Sequence, residues 1–219
     1  MSSTDPILDI IESGLEHGIH KWFHYLPIYH KHFQQYKNRK DLVIVEIGVQ
    51  HGGSIDLWNK YFGMENCTIY GIDNDPRCKG LEKGNVKIII GDQGDITFLN
   101  SLLELIPKID ILIDDGGHFM LQQINTFNIL FDHVKPGGIF LCEDVHTSYI
   151  PSFGGILRNP GTFIEFAKNL VDEINGYHSG LMTNVTKTCS GIYFYDSIVI
   201  LDKSEREAVC PSAKFWNYN

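Results

Sequence analysis

Three carboxylates and a histidine in two short stretches carry the chemistry of this sequence. In "ILIDDGGHFM" (111–120) an aliphatic run passes straight into Asp114, Asp115, a glycine pair and His118. In "GGIFLCEDVHTSY" (137–149) a second run passes straight into Glu143 and Asp144. Unpaired carboxylates brought together repel one another and raise each other's pKa. A hard divalent cation resolves that repulsion, and all-oxygen donors suit magnesium, with manganese or calcium as substitutes. Asp115, Glu143 and Asp144 would fill part of an octahedron and leave positions for water or substrate. His118, whose ordinary pKa is about 6.5, suits removal of a proton from a hydroxyl that such an ion has acidified. The plainer alternatives are a solvated loop rim for the carboxylates and a helix cap for the histidine.

These groups need a scaffold that brings the two stretches together. Five apolar runs, "LVIVEI" (42–47), "CTIYGI" (67–72), "VKIII" (86–90), "ILI" (111–113) and "GIFLC" (138–142), are rich in β-branched residues and nearly continuous. That is the pattern of strands covered on both faces. Segments 53–62, 96–107 and 120–134 have helical spacing, and "VKPGG" closes the last as a helix stop and turn. Strand alternating with helix specifies an α/β fold, a Rossmann-like, mostly parallel sheet. In the order 3-2-1-4-5 strands four and five are neighbours, so the two acidic ends emerge side by side. The connection 73–85 reads as loop with at most a short helix. Past 150 comes a loop, a helix over 162–174, and a hairpin over 192–203 turning near Asp196 and Ser197, an antiparallel addition at the sheet edge. The first 40 residues read as a helical cover, with helices over 6–17 and 27–36. Residues 41–219 then form the main unit.

"VEIGVQHGGS" (45–54) sets Glu46, Gly48, Val49, Gly52, Gly53 and Ser54 where the first strand turns into a helix. Glycines there admit close approach of a ligand, and the helix N-terminus favours a polar or charged group. Position 50 is Gln where a dinucleotide fingerprint has its second glycine, so a different nucleoside ligand is expected. Asp73 ends the second strand, where an acid can accept from both ribose hydroxyls. In "GDQGD" (91–95), Asp92 or Gln93 is placed to address an adenine edge.

The formal charge is −9 and no basic run appears, so a phosphate backbone would be repelled and nucleic acid is not an expected partner. No apolar run reaches bilayer length and the N-terminus has no secretory pattern, so no membrane association is expected. Five scattered cysteines (67, 78, 142, 189, 210) without a C-x-x-C pair fit free thiols in a cytoplasmic protein. His17, His20 and His24 recur at near-helical spacing and read as a solvated helix face rather than a metal face.

Together, "HKWFHYLPIYHKHF", "EIGVQHGGS", "YGIDNDPRCK", "GDQGD", "IDDGGH", "KPGG" and "EDVHTSY" resemble the class I S-adenosylmethionine-dependent methyltransferases. The branch is the metal-dependent sugar O-methyltransferases that act on rhamnose-like residues of macrolide and polyketide glycosides. The resemblance implies a sheet of order 3-2-1-4-5-7-6, with S-adenosyl-L-methionine and Mg2+ (or Mn2+) as cofactors. It makes Asp115, Glu143 and Asp144 the metal ligands and His118 the general base. The candidate cofactor set is Glu46, Gly48, Val49, Gly52, Ser54, Asp73, Asp92, Gln93 and Asp114. The acceptor implied is a small molecule or glycan with a vicinal diol on a rhamnose-like sugar, and the assembly a homodimer or homotetramer. Catechol-type O-methyltransferases share the metal spacing but carry lysine where this chain has His118. The antibiotic-pathway members carry a long N-terminal domain that this sequence does not show. An NAD-dependent sugar-modifying enzyme would need a G-x-G-x-x-G loop and a Tyr-x-x-x-Lys pair, and neither is present. A non-catalytic nucleotide-sugar binding module would have no use for His118 beside three carboxylates.

Overall fold

The structure is a computed structural model that describes residues 5–208. Seven strands form one sheet: β1 (Leu42–Ile47), β2 (Cys67–Asp73), β3 (Val86–Ile90), β4 (Ile109–Asp114), β5 (Val134–Cys142), β6 (Cys189–Tyr195) and β7 (Ile198–Lys203). Their order is β3-β2-β1-β4-β5-β7-β6. The first five pair in parallel, while β7 runs antiparallel to both β5 and β6. The alternation of strand and helix and the edge hairpin anticipated a mostly parallel sheet with an antiparallel edge, and the order is the one the resemblance implied.

Alternation along each strand sorts the side chains onto two faces. Ile44, Ile111, Ile113, Ile139 and Leu141 pack against α1 (Pro6–Glu12), α2 (Leu26–Phe33) and α3 (Gly53–Phe62). Val43, Val45, Leu112 and Phe140 pack on the other face against α4 (Ile96–Leu105), α5 (Met120–Leu130) and α6 (Phe163–Ile174). Counting on by two puts Glu46, Asp115 and Glu143 on the α1/α2/α3 face and Asp114 on the opposite one.

A cluster of buried aromatics fastens the N-terminal cover to the sheet. Tyr29 and Phe33 of α2 meet Trp58 of α3 with ring centroids 5.4 and 5.5 Å apart, and Phe33 also meets Phe62. Each such fully buried ring contributes roughly 2–3 kcal/mol by removal from water. The cluster therefore fixes where the chain entering α2 must run.

Several elements end earlier than their sequence spacing predicts. The helix expected over 6–17 stops at Glu12, because Gly14 takes a left-handed conformation (φ 92°) just past the Ser13 cap. Residues 13–22 are neither helix nor strand. His17, His20 and His24 thus lie on an irregular segment and a 3-10 turn (Phe23–Tyr25), not on the solvated helix face anticipated for them. The helix expected over 96–107 ends at Leu105, where Ile106 turns extended ahead of Pro107. The one expected over 120–134 ends at Leu130 in a 3-10 turn, and "VKPGG" lies in β5. Two short helices, α7 (Gly176–Ser179) and α8 (Asn184–Thr188), precede β6. Cys67, Cys78, Cys142 and Cys189 are free and buried, and Cys210 lies outside the described residues. Among the described residues no helix is long and apolar enough to cross a membrane.

Candidate metal and cofactor site

The carboxyl ends of β1 to β5 open onto a cleft of about 750 Å3. Gly48, Asp73, Asp92 and Gln93 line one part, and Asp115, Gly116, Gly117, His118 and Asp144 line the other. Gly48 has φ 92°, and a Cβ on it would collide with the Asp115 carbonyl oxygen, so glycine is required where the loops after β1 and β4 touch. The Asp115 amide donates to the Ile47 carbonyl at 2.9 Å and locks the two loops together.

At the β2 end, Asp73 Oδ2 accepts from the Val49 and Gln50 amides at 2.9 Å each, and Oδ1 accepts from Asp75. The carboxylate thus shapes the glycine loop while keeping lone pairs for a ligand in the cleft. Asp92 is exposed, with Oδ1 accepting from the Gly94 amide. Gln93 is buried and its amide group is committed internally. Nε2 donates to Asp114 Oδ1 at 2.7 Å and to Thr126 at 2.9 Å, and Oε1 accepts from the Gly117 amide at 3.0 Å.

Glu46, Val49, Gly52, Ser54 and Asp114 stand behind the cleft wall. Ser54 Oγ donates to Glu46 Oε2 at 2.7 Å, and burial holds the Glu46 carboxyl at about 7. Gly52 takes a left-handed turn into α3. Asp114 faces α5, as alternation dictates, and burial raises its carboxyl to about 6.

Two of the three metal-ligand candidates, Asp115 and Asp144, come together as the neighbouring of β4 and β5 requires, with His118 beside them and Glu143 outside that group. Asp115, His118 and Asp144 each present one donor atom within 4.8 Å of the others. His118 Nε2 lies 3.5 Å from Asp144 Oδ2 and 3.9 Å from Asp115 Oδ1. Both His118 and Asp144 adopt left-handed backbone, φ 60° and 52°, and such local strain is characteristic of functional sites. Thr147 Oγ1, donating to the His118 carbonyl at 3.1 Å, helps hold that turn.

Glu143 is buried, and its surroundings hold the residue that sequence reasoning missed. Lys21, on the irregular segment before α2, places Nζ 2.6 Å from Asp115 Oδ2, 2.8 Å from Glu143 Oε2 and 3.9 Å from Glu46 Oε1. Its side chain is only 5% exposed and passes 5.9 Å from the Tyr29 ring. Burial opposes its charge, but Asp115, Glu143 and Glu46 outweigh that and hold its pKa well above the lysine value. Burial and the Asp115 charge push Glu143 up to about 8, against the pull of Lys21. Tyr25, four residues on, donates to Asp144 Oδ1 at 2.6 Å. One ammonium serves four carboxyl groups, Glu46, Asp115, Glu143 and Asp144, and does not offset the burial and like charge that hold Glu46 and Glu143 up. Glu143 Oε1 is buried without a hydrogen-bond partner among the described residues. Clustered oxygen donors, carboxyls raised by burial and one another, and an orphaned buried oxygen fit a divalent cation here.

The sequence profile of the FtsJ-like methyltransferase family, described as "FtsJ-like methyltransferase", matches residues 29–160. The chain is 32% identical over 205 residues to the 8-demethyl-8-alpha-L-rhamnosyl tetracenomycin-C 2'-O-methyltransferase of Streptomyces olivaceus, covering 87% of this chain and 53% of that protein. It is 32% identical over 208 residues to the mycinamicin VI 2''-O-methyltransferase of Micromonospora griseorubida, covering 87% and 50%. The MycE methyltransferase in complex with Mg, SAH and mycinamycin VI superposes with a TM-score of 0.78 at 31% identity, over 90% of this chain and 52% of that one. The chain therefore spans about half the length of the relatives it matches.

Proposed function

The chain belongs to the FtsJ-like methyltransferase family, and from that premise we propose that it transfers a methyl group from S-adenosylmethionine to a hydroxyl of a rhamnose-like sugar, with a divalent cation. The observation that carries this reading is the single cleft that runs from Asp73 and Asp92 to Asp115, His118 and Asp144. The relatives named for methylation of rhamnosyl and macrolide glycosides support the acceptor class. When bound, the cation supplies polarisation of a sugar hydroxyl and the sulfonium cofactor supplies the reactive methyl.

Asp115, Glu143 and Asp144 would hold the cation, each through an oxygen not already engaged. Gly48, Asp73 and Asp92 would face the cofactor, with Gln93 at the same wall. Glu46, Val49, Gly52, Ser54 and Asp114 would shape that wall from behind. His118 takes the hydroxyl proton at Nε2, where the Asp144 and Asp115 carboxylates lie close enough to stabilise the imidazolium that results. The left-handed turns at His118 and Asp144 set that ring against that carboxylate before substrate arrives, and such positioning is the main contribution a protein makes when the methyl donor is already reactive.

The reading is tested by incubating the protein with labelled S-adenosylmethionine, Mg2+ and a panel of rhamnosides, deoxysugars and catechols. Transfer to a rhamnoside that stops on chelation of Mg2+ is the expected result. Transfer to catechols alone would move the chain to the catechol-type branch, and binding of NAD but not of S-adenosylmethionine would end the proposal.

A further inference from the structure

Each carboxylate given to the cation spends one oxygen on the segment between α1 and α2. Asp115 Oδ2 and Glu143 Oε2 accept from Lys21 Nζ at 2.6 and 2.8 Å, and Asp144 Oδ1 accepts from the Tyr25 hydroxyl at 2.6 Å. The other oxygen of each has no hydrogen bond to the described residues. Asp115 Oδ1 and Asp144 Oδ2 lie on the His118 side, and Glu143 Oε1 is buried without a partner. A carboxylate on a flexible χ2 presents either oxygen, and one held at its outer oxygen presents only the other. That is how hydrogen bonds behind a metal ligand orient it.

We propose that residues 13–25 form the outer wall of the cation site, with Lys21 and Tyr25 as positioning residues that aim one oxygen each of Asp115 and Asp144 at a single divalent ion, Lys21 tying Glu143 to the same cluster. Ordering of this segment and binding of the ion are then coupled. The proposal rests on the assignment of the cation to Asp115, Glu143 and Asp144.

The coupling follows from the absence of regular structure in the segment and from how few of its ties are both buried and polar. Residues 13–22 contribute to no helix or strand. Their other ties are the partly buried side chains of Leu15 and Ile19 against the core, His17 to Asp56 at 2.7 and 3.0 Å, Lys60 Nζ to the Gly14 carbonyl, and Gly18 against Gly53 at the start of α3. Lys21 and Tyr25 are the deep anchors. If the segment improves the site for the ion, the ion orders the segment by the same factor, because linkage is reciprocal. His20 lines the cleft beside Lys21, so the same coupling carries a cleft-lining side chain into place.

The test uses the full chain and Mn2+ as the probe, with Mn2+ affinity from titration calorimetry and amide hydrogen exchange over 13–25 with and without the ion. In the wild type one Mn2+ should bind and slow exchange across the segment. Tyr25→Phe keeps the buried ring and should weaken Mn2+ binding roughly tenfold, the lower end of what loss of such a contact costs. Lys21→Met should abolish the Mn2+-dependent slowing, and Lys21→Arg should restore most of it. Should Lys21→Met fail to fold, Tyr25→Phe decides alone. Wild-type affinity and wild-type slowing of exchange in Tyr25→Phe would overturn the coupling. Asp115→Asn and Asp144→Asn separate the two levels. If they bind Mn2+ like the wild type, or the wild type binds none, the cation assignment fails and this proposal falls with it. If they lose binding while Tyr25→Phe does not, only the coupling fails.

Discussion

The site has two walls built by different rules. One consists of strand ends, where Glu46, Asp73, Asp114, Asp115 and Glu143 stand at or just beyond the carboxyl ends of β1, β2, β4 and β5. The other is the segment 13–25, which has no repeating structure over most of its length yet reaches the same carboxylates through Lys21 and Tyr25. The first wall is rigid because sheet hydrogen bonds and two hydrophobic layers hold it on every side. The second is held chiefly by what it touches, and so is the part able to respond to a ligand.

Changes to each wall should therefore differ in kind. On the strand wall, His118→Ala should lower turnover by about 10^3-fold or more while S-adenosylmethionine binding survives, the scale of a lost general base. Single-turnover transfer beside calorimetry separates the two, and wild-type turnover in the variant would remove His118 from the chemistry. On the segment wall, Lys21→Met should destabilise the metal-free protein by about 3–5 kcal/mol in urea unfolding, since it strands buried carboxylates without their cation. A cost below about 1 kcal/mol would mean the ion pair is replaceable by water.

A pH dependence belongs to the strand wall. Asp114 is buried and its carboxyl sits at about 6, against about 3.9 in an unfolded chain. Between those values the folded protein binds the proton more tightly, so this group makes stability fall as pH rises through the window and level off above it. The span of two pH units corresponds to about 3 kcal/mol. Asp114→Asn should flatten that part of the stability profile relative to wild type, and an unchanged slope would show that another group titrates there. The smallest effect should be at the shallow end of the segment. His17→Ala leaves the backbone bond to Asp56 in place and should cost under about 1 kcal/mol, because the ring contact is half exposed.

The strand wall was legible because its information is local. Continuous β-branched runs, a glycine after β1 and acids at the ends of β4 and β5 specify a parallel sheet with charge at one edge. The neighbouring of β4 and β5 does the rest. The alternation that sends Asp115 and Glu143 to one face and Asp114 to the other is also written there, as a count of two from Ile113, Leu141 and Leu112. Gln93 was harder to read, since an amide after a strand suits a ligand or a buried network equally. Here Asp114, Thr126 and Gly117, from two other elements, take up its hydrogen bonds.

Lys21 lies in a stretch that the resemblance includes, but its role was not legible. Its neighbours, "GIHKWFHY", carry no apolar period, and the near-helical spacing of the histidines suggested a helix that Gly14 ends. What the sequence by itself determined was the strands and the acidic ends, which follow from residue spacing along single strands, and the sheet order came with the family resemblance its motifs carry. Only the tertiary structure decided which cation meets those acids. The aromatic cluster of Tyr29, Phe33 and Trp58 sets where α2 begins. That contact, between residues far apart in the chain, draws Lys21 across the ends of β4 and β5.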